Sequence, residues 1–306
     1  MPRNFQAKKA IREKIWIKLA LFGTSGSGKT YSSLRIITGM LNKLKDFDIA
    51  GNGKAIMFNT EGSRGLYYSD EFDYDIIDLD PPYTPELFID AIDYAIDEKY
   101  PIIIFDSLSH EYSGEGGLLE IVEKGGGFPR GWAKASPRHR KLIERIVKSP
   151  IHVVANMRGK DQWDMSTDEN GKLSSTKVAL GPDQKKESEY EFTAALLLDQ
   201  STNTAQSTKD NTHLFEGSIS KLLDEKDGEM LIEWANSGEG KFEQPDRKRT
   251  RTELANYAKI IGLKPIDIKA AFDAEGIEFD EDPEQWDNMT SALDKYAQNM
   301  KKEKGE

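Results

Sequence analysis

The feature that most constrains the fold is a glycine-rich stretch between an apolar segment and a segment with helical periodicity. Residues 15–22 read IWIKLALF, and residues 29–44 carry apolar side chains at helical spacing. Between them, residues 23–30 read GTSGSGKT, which matches the G-x-x-x-x-G-K-[ST] spacing of phosphate-binding loops. A strand, such a loop and a helix in this order predict an α/β fold that binds phosphate groups.

This loop predicts a site for ATP and Mg²⁺. Its glycines let backbone N–H groups curl around phosphate oxygens, Lys29 reaches the β and γ phosphates, and Thr30 binds the Mg²⁺. Lys29 is therefore a predicted catalytic residue as well. The predicted nucleotide-binding residues are Gly23, Thr24, Ser25, Gly26, Ser27, Gly28, Lys29, Thr30 and Tyr31.

Two acidic residues that follow apolar strands are predicted to join the loop. Asp106 ends the most apolar strand, residues 101–106, where a phosphate-bound Mg²⁺ would compensate the cost of its charge. Ser107 comes next, so the group that orients the attacking water must lie elsewhere in the chain. Glu61 follows the strand at residues 55–59 and is the predicted catalytic base, since parallel strands bring their carboxyl ends to one edge.

The strand at residues 151–156 adds two candidates at the same predicted edge. Asn156 ends this strand and Arg158 follows it. Either side chain could sense the γ-phosphate, and Asn156 is a predicted catalytic residue on that ground. Hydrogen bonding that merely completes the end of the strand is the alternative.

Strands alternate with helices along most of the chain, which predicts a mostly parallel sheet flanked by helices. Segments near residues 212–216 and 229–234 are predicted strands that close this sheet. The polar stretch at 158–189 has too few apolar residues to pack and is predicted to be irregular. The predicted parts are a basic N-terminal arm at 1–14, an ATPase domain at 15–235, a linker at 236–248 and a helical C-terminal domain at 249–306.

Charge and composition narrow the possible functions. The net charge of −11 argues against nucleic-acid binding over the whole surface, but residues 124–188 contain 14 Lys and Arg against 7 Asp and Glu. Cysteine is absent and the four histidines show no ligand spacing, which excludes thiolate metal sites and fits a reducing cytoplasm. No apolar run approaches the length that spans a bilayer, so no membrane partner is predicted.

Several motifs together resemble the RecA-like ATPases of bacteriophages, a group that includes single-strand annealing and recombination proteins and AAA-type phage nucleotide-binding proteins. The resemblance covers residues 16 to about 235 and implies a RecA-like P-loop NTPase core. The matching stretches are FGTSGSGKT at 22–30, NTEG at 59–62, IFDS at 104–107, VANMRGK at 154–160 and EYEF at 189–192.

The resemblance implies ATP hydrolysis at a subunit interface, with Glu61 as the catalytic glutamate. It also implies a homo-oligomer, as a filament or ring, that holds single-stranded DNA with loops near 124–130 and 159–188. The protein would then work in the cytoplasm of a bacterial host, with a single-strand binding protein as a further possible partner. The predicted DNA contacts are Lys124, Phe128, Arg130, Arg158, Lys160, Trp163, Lys172 and Lys177.

Lys209 resembles a basic residue that reaches the γ-phosphate of a neighbouring subunit, and it is the last predicted catalytic residue. Asn211 stands where the resemblance leads us to expect arginine. Two other functions stay open. One is a nucleotide-switched factor that loads a replication partner with slow, DNA-independent turnover. The other, a small-molecule kinase, is disfavoured because residues 159–188 lack the arginines of a kinase lid.

Overall fold

The computed structural model describes residues 7, 9–47, 49, 51–167, 173–185, 188–215, 220–239, 251–279 and 283–304. The chain divides into two compact units, Met1–Phe242 and Glu243–Glu306. Residues 1–6 and 8 of the predicted arm at 1–14, and residues 240–248 of the predicted linker at 236–248, lie outside the described residues. None of the helices described is both long and apolar enough to cross a membrane.

Within the described residues, the first unit is built on one sheet of eight strands. These are β1 Lys18–Gly23, β2 Ala55–Asn59, β3 Asp75–Asp78, β4 Ile102–Asp106, β5 His152–Thr167, β6 Leu173–Pro182, β7 Ala194–Leu198 and β8 Ala205–Asp210. The strand order is β3-β2-β4-β5-β1-β7-β8, and β6 pairs with β5. Neighbours are parallel from β3 through β7, whereas β8 and β6 pair antiparallel with β7 and β5. The predicted mostly parallel α/β fold is confirmed.

Helices cover both faces of this sheet. Strand β1 carries apolar side chains on both sides, and both sets must be shielded from water. The helices are α1 Lys29–Asp46, α2 Pro85–Asp97, α3 Ser109–Ser113, α4 Leu118–Lys124, α5 Arg130–Lys148 and α6 Glu225–Asn236. Leu19 and Leu21 pack in one core with residues of α1 and α6. Ala20 and Phe22, which point to the opposite face, pack in a second core with residues of α2 and α5.

The register of the parallel strands brings their carboxyl ends together. Asn59 at the end of β2 is opposite Asp106 at the end of β4, and Asp106 is opposite Asn156 in β5. Asn156 is in turn opposite Leu21, two residues before Gly23 ends β1. The glycine-rich loop and the segment after β2 therefore leave the same edge of the sheet.

The polar stretch at 158–189 is largely a β-hairpin, so the prediction of an irregular segment was wrong. β5 continues past the sheet to Thr167, and β6 pairs with it from Leu173 to Pro182. A two-stranded ribbon has no core to face, so its sequence lacks the apolar periodicity that marks a buried strand. Its backbone ladder forms because β5 extends a strand that the central sheet already fixes.

The predicted strands near 212–216 and 229–234 are absent from the described residues. The edge strand is β8, and Glu225–Asn236 is helix α6. A capping box starts α6: the Asp224 carboxylate accepts from the Asp227 backbone N–H at 3.3 Å, and the Asp227 carboxylate accepts from that of Asp224 at 3.0 Å. Leu231, Ile232 and Ala235 then follow at helical spacing and pack in the core with α1.

The described part of the second unit contains three helices, α7 Arg251–Ile260, α8 Pro265–Glu275 and α9 Pro283–Lys304. Each helix contributes to a core of its own, which includes Leu254, Phe272 and Leu293. The Tyr257 hydroxyl donates to the carboxylate of Asp294 at 2.9 Å, which ties α7 to α9.

One buried histidine makes the first unit sensitive to acid. His152 begins β5 and is fully buried, and its Nδ1 accepts a hydrogen bond of 3.0 Å from the Ile17 backbone N–H. Burial, and secondarily the nearby Lys18 ammonium, lowers the pKa of His152 to about 3. The ring therefore stays neutral in the folded protein at pH values where it takes up a proton in the unfolded chain.

As the pH falls, the unfolded chain takes up this proton before the folded protein does. The contribution of the neutral ring to the free energy of unfolding is therefore fully present above about pH 6.5 and is lost as the pH falls toward 3. The wild type should lose about 2 kcal/mol more unfolding free energy between pH 7 and pH 5 than His152→Asn, which keeps an acceptor but cannot titrate. Urea titrations at both pH values measure this difference. The exposed His213→Asn is the control, and a similar loss in His152→Asn would contradict the assignment.

Candidate functional site

The glycine-rich loop connects β1 to α1 and has a backbone that favours glycine. Gly26 and Gly28 both adopt φ of +82°, in the left-handed region where a side chain is strained. The Lys29 ammonium lies back over the loop and donates to the carbonyls of Gly23 and Thr24, at 2.9 Å each. Burial lowers its pKa, while the Asp106 and Glu61 carboxylates oppose that shift.

Thr30 and Asp106, which the sequence predicts as metal ligands, are in direct contact. The Thr30 hydroxyl donates to Asp106 Oδ2 at 2.6 Å. Asp106 is only 4% exposed, and burial raises its pKa although the Thr30 hydrogen bond favours the charged form. A carboxylate at such a site is stabilised by a cation.

This pair fits Mg²⁺ by its donor chemistry. The described residues contain no group of three or more His, Asp or Glu side chains arranged to hold a metal ion by themselves. Mg²⁺ at nucleotide sites commonly uses one or two protein oxygens together with phosphate oxygens. Thr30 Oγ1 and the Asp106 carboxylate supply such a set beside the loop.

Asn156 lies behind Asp106 and is completely buried. Its amide donates to the Ser33 hydroxyl at 3.1 Å, and it helps to lower the pKa of Asp106 against the effect of burial. The structure therefore places Asn156 where it stabilises the charged form of Asp106, with no exposed surface for a phosphate.

Glu61 follows β2 and is paired with Arg158. Arg158 donates to Glu61 Oε1 from Nε at 3.0 Å and from Nη2 at 2.8 Å. Arg64 approaches the other oxygen, Oε2, at 3.6 Å. The Glu61 side chain is 15% exposed, and it lies at the edge where β2 and β4 end beside β5.

Thr60 and His110 are neighbours of this site that the sequence analysis did not anticipate. The Thr60 hydroxyl accepts from the Ser107 backbone N–H at 2.8 Å and lies 2.6 Å from His110 Nδ1. The His110 ring stacks on Tyr83 with centroids 5.1 Å apart. Burial lowers the pKa of His110, and the Arg158 charge adds to that shift. The sequence offered one signal for Thr60, which is that its hydroxyl directly precedes the predicted base Glu61.

Tyr31 and Lys209 lie apart from the residues gathered around Asp106. Tyr31 packs edge to face with Tyr68 and Phe72, with centroids 5.2 Å and 5.4 Å away. Lys209 lies opposite Ala195, near the start of β7 and thus toward the sheet edge opposite the loop. Its ammonium donates to the Tyr190 and Phe192 carbonyls. A phosphate contact of Lys209 would have to be made in another subunit.

The predicted DNA contacts fall on two surfaces. The first surface lies around the loop between α4 and α5, where Phe128 is 87% exposed. Arg130, the first residue of α5, is exposed, and Lys124, the last residue of α4, pairs with Glu120 at 2.7 Å. The second surface is the hairpin of β5 and β6, where Lys160 pairs with Asp183 at 3.4 Å and the backbone of Trp163 is opposite that of Lys177. Arg158 stands at its base in the Glu61 pair, and Lys172 lies outside the described residues.

The class of protein follows from four features: a mostly parallel sheet, a glycine-rich loop after β1, a lysine and a threonine at the start of α1, and a buried aspartate at the end of β4. Together they define a P-loop nucleoside triphosphatase. The chain belongs to a family of AAA domains, whose model matches residues 16–227. No curated protein matches the chain. Membership of this family implies nucleotide binding and hydrolysis.

Proposed function

We propose that this chain is a RecA-like phage ATPase whose turnover is stimulated by single-stranded DNA in recombination or annealing. The observation that carries the ATPase part is the convergence of Lys29, Thr30, Asp106 and Glu61 at one sheet edge, through contacts that include the 2.6 Å Thr30–Asp106 hydrogen bond. The DNA part is supported by the exposed Phe128 ring and the exposed basic residues Lys124 and Arg130 that flank it in sequence.

In the proposed reaction the loop N–H groups and Lys29 bind the phosphates, and Thr30 and Asp106 would hold a Mg²⁺ ion. At that position the ion would neutralise charge that develops on the phosphates. Asn156 stabilises the charged form of the Asp106 carboxylate. Glu61 accepts the proton of the attacking water at Oε2, since Arg158 engages Oε1 at 2.8 Å and 3.0 Å.

Phe128 supports contact with DNA bases. Full burial of a Phe side chain is favourable by about 1.5–3 kcal/mol, yet this ring is 87% exposed beside Gly125, Gly126 and Gly127. Bases of a single strand stack on exposed aromatic rings, and basic neighbours such as Lys124 and Arg130 neutralise phosphates.

The continuity of β5 supports a link between DNA and turnover. Arg158, which holds Glu61, and Trp163, a predicted DNA contact, belong to the same strand. A single strand bound along the hairpin would therefore act on the backbone that positions Arg158. In our proposal this is how DNA alters the Glu61–Arg158 pair and raises the rate.

The test is the steady-state ATPase rate with and without single-stranded DNA at several salt concentrations. We expect stimulation that fades with salt, since each neutralised phosphate contributes about −0.7 to the slope of log affinity against log salt. Phe128→Ala should lose most of the stimulation and keep the basal rate. Tyr190→Ala, which removes another exposed aromatic ring, should keep both.

Turnover that ignores DNA in the wild type would overturn the DNA part of the proposal. It would favour the second candidate, a nucleotide-switched loading factor, which agrees with the Glu61–Arg158 ion pair because that pair occupies one oxygen of the proposed base. Stimulation that survives at high salt would also contradict contact with the phosphate backbone.

A further inference from the structure

Two amide side chains of the turn between β7 and β8 form hydrogen bonds to the glycine-rich loop. Gln200 donates from Nε2 to the Ser25 carbonyl at 2.9 Å, and Asn203 donates from Nδ2 to the Gly26 carbonyl at 3.1 Å. Neither residue lies near the loop in sequence. The two bonds therefore connect separate parts of the chain at consecutive peptide groups of the loop.

The turn itself is held firmly by Asp199. Oδ1 of Asp199 accepts from the backbone N–H groups of Ser201 and Thr202 at 2.9 Å each, and from their hydroxyls at 2.5 Å and 3.0 Å. These bonds, led by that of the Ser201 hydroxyl, lower the pKa of Asp199 to about 2, so its carboxylate stays charged at neutral pH. Asn203 adopts φ of 56°, a left-handed conformation that asparagine tolerates better than most residues.

Peptide geometry shows what the bond to Ser25 does. In a trans peptide the C=O and the following N–H point in opposite directions. A bond that holds the Ser25 carbonyl toward the turn therefore directs the Gly26 N–H away from the turn. Without such a bond, glycine at this position has wide conformational freedom.

Asn203 restrains the loop at a second point. Besides its bond to the Gly26 carbonyl, it lies against Gly28, where a Cβ would come within 3.2 Å of Asn203 Nδ2. Gly26 and Gly28 are the two loop residues with φ of +82°. The turn thus contacts the loop at its glycines, where the absence of a side chain leaves the loop backbone the most conformational freedom.

We propose that Gln200 and Asn203 are positioning residues that hold the loop in its phosphate-binding conformation. This inference rests on the proposed nucleotide site. Pre-organisation of the loop contributes to binding of any nucleotide with a β-phosphate. Loss of either amide should therefore weaken ADP and ATP alike and raise KM, with little change in kcat, because neither amide bonds to Asp106 or Glu61 among the described residues.

The test compares matched variants of two exposed glutamines on one hairpin. Gln200→Met keeps the length of the side chain and removes its donor, and Gln206→Met makes the same change on β8. Asn203→Gly removes the second amide and still permits the left-handed backbone. Dissociation constants are measured with fluorescent ADP and ATP analogues, alongside KM, kcat and thermal melting.

We expect Gln200→Met and Asn203→Gly each to raise both dissociation constants about three- to ten-fold, as for loss of one hydrogen bond. Gln206→Met should bind as the wild type does. If the wild type binds and Gln200→Met matches the Gln206→Met control, the positioning role is overturned. If the wild type itself binds neither analogue, the proposed nucleotide site fails instead. A fall in kcat at unchanged KM would also exclude positioning of the loop.

Discussion

Lys29→Ala should reduce ATP hydrolysis by about 10²- to 10³-fold or more, because it removes a charged donor from the phosphates that react. The same change should weaken ATP binding, since charge-assisted hydrogen bonds to phosphate are among the stronger ones in proteins. The side chain is well placed for this role: its ammonium lies 2.9 Å from the carbonyls of Gly23 and Thr24, over the loop that would hold the phosphates.

The measurement is the steady-state rate at saturating ATP together with the affinity for a fluorescent ATP analogue. Lys45→Ala is the matched control, because Lys45 is exposed on the last turn of the same helix. Thermal melting of both variants shows that the fold is retained. A near-normal rate in Lys29→Ala would show that the glycine-rich loop is not part of the catalytic site.

Glu61→Gln should keep ATP binding and lose turnover by about 10²- to 10⁴-fold, the usual contribution of a general base. The amide has almost the same volume as the carboxylate, so the edge of the sheet should not rearrange. What the amide cannot do is accept the proton of the attacking water. A stable complex with unhydrolysed ATP should therefore accumulate.

Single-turnover hydrolysis and equilibrium binding separate these two effects. Glu71→Gln is the control, because Glu71 is an exposed residue of the segment that also follows β2 and contacts Tyr31 at 3.3 Å. Normal turnover in Glu61→Gln would exclude Glu61 as the base. Loss of binding instead of turnover would show that its main role is to hold Arg158.

The sequence was most informative where local chemistry determines structure. The loop at 23–30 can be predicted because glycine tolerates φ of +82° far better than other residues and because strand, loop and helix follow one another without a gap. Asp106 can be predicted because a charge at the end of a buried strand needs a partner. The common sheet edge follows from parallel pairing alone.

Contacts between distant segments could not be predicted in this way. Neither Gln200 nor Asn203 shows by its type that it will meet the loop some 175 residues earlier, at Ser25 and Gly26. The pairing of Arg158 with Glu61 likewise depends on the strand order, which places β4 between β2 and β5. α6 was missed because its apolar run is short and its capping box precedes it by several residues.

The length of β5 determines how far the end of the hairpin lies from the catalytic edge. Arg158 stands at the catalytic edge and the strand continues to Thr167, so at about 3.3 Å per residue the hairpin reaches about 30 Å beyond Arg158. That exceeds the radius of gyration of about 17 Å expected for a domain of this size. A molecule gripped near the end of the hairpin need not touch the catalytic edge, so a substitution there can alter the capture of a partner and leave the hydrolytic chemistry intact.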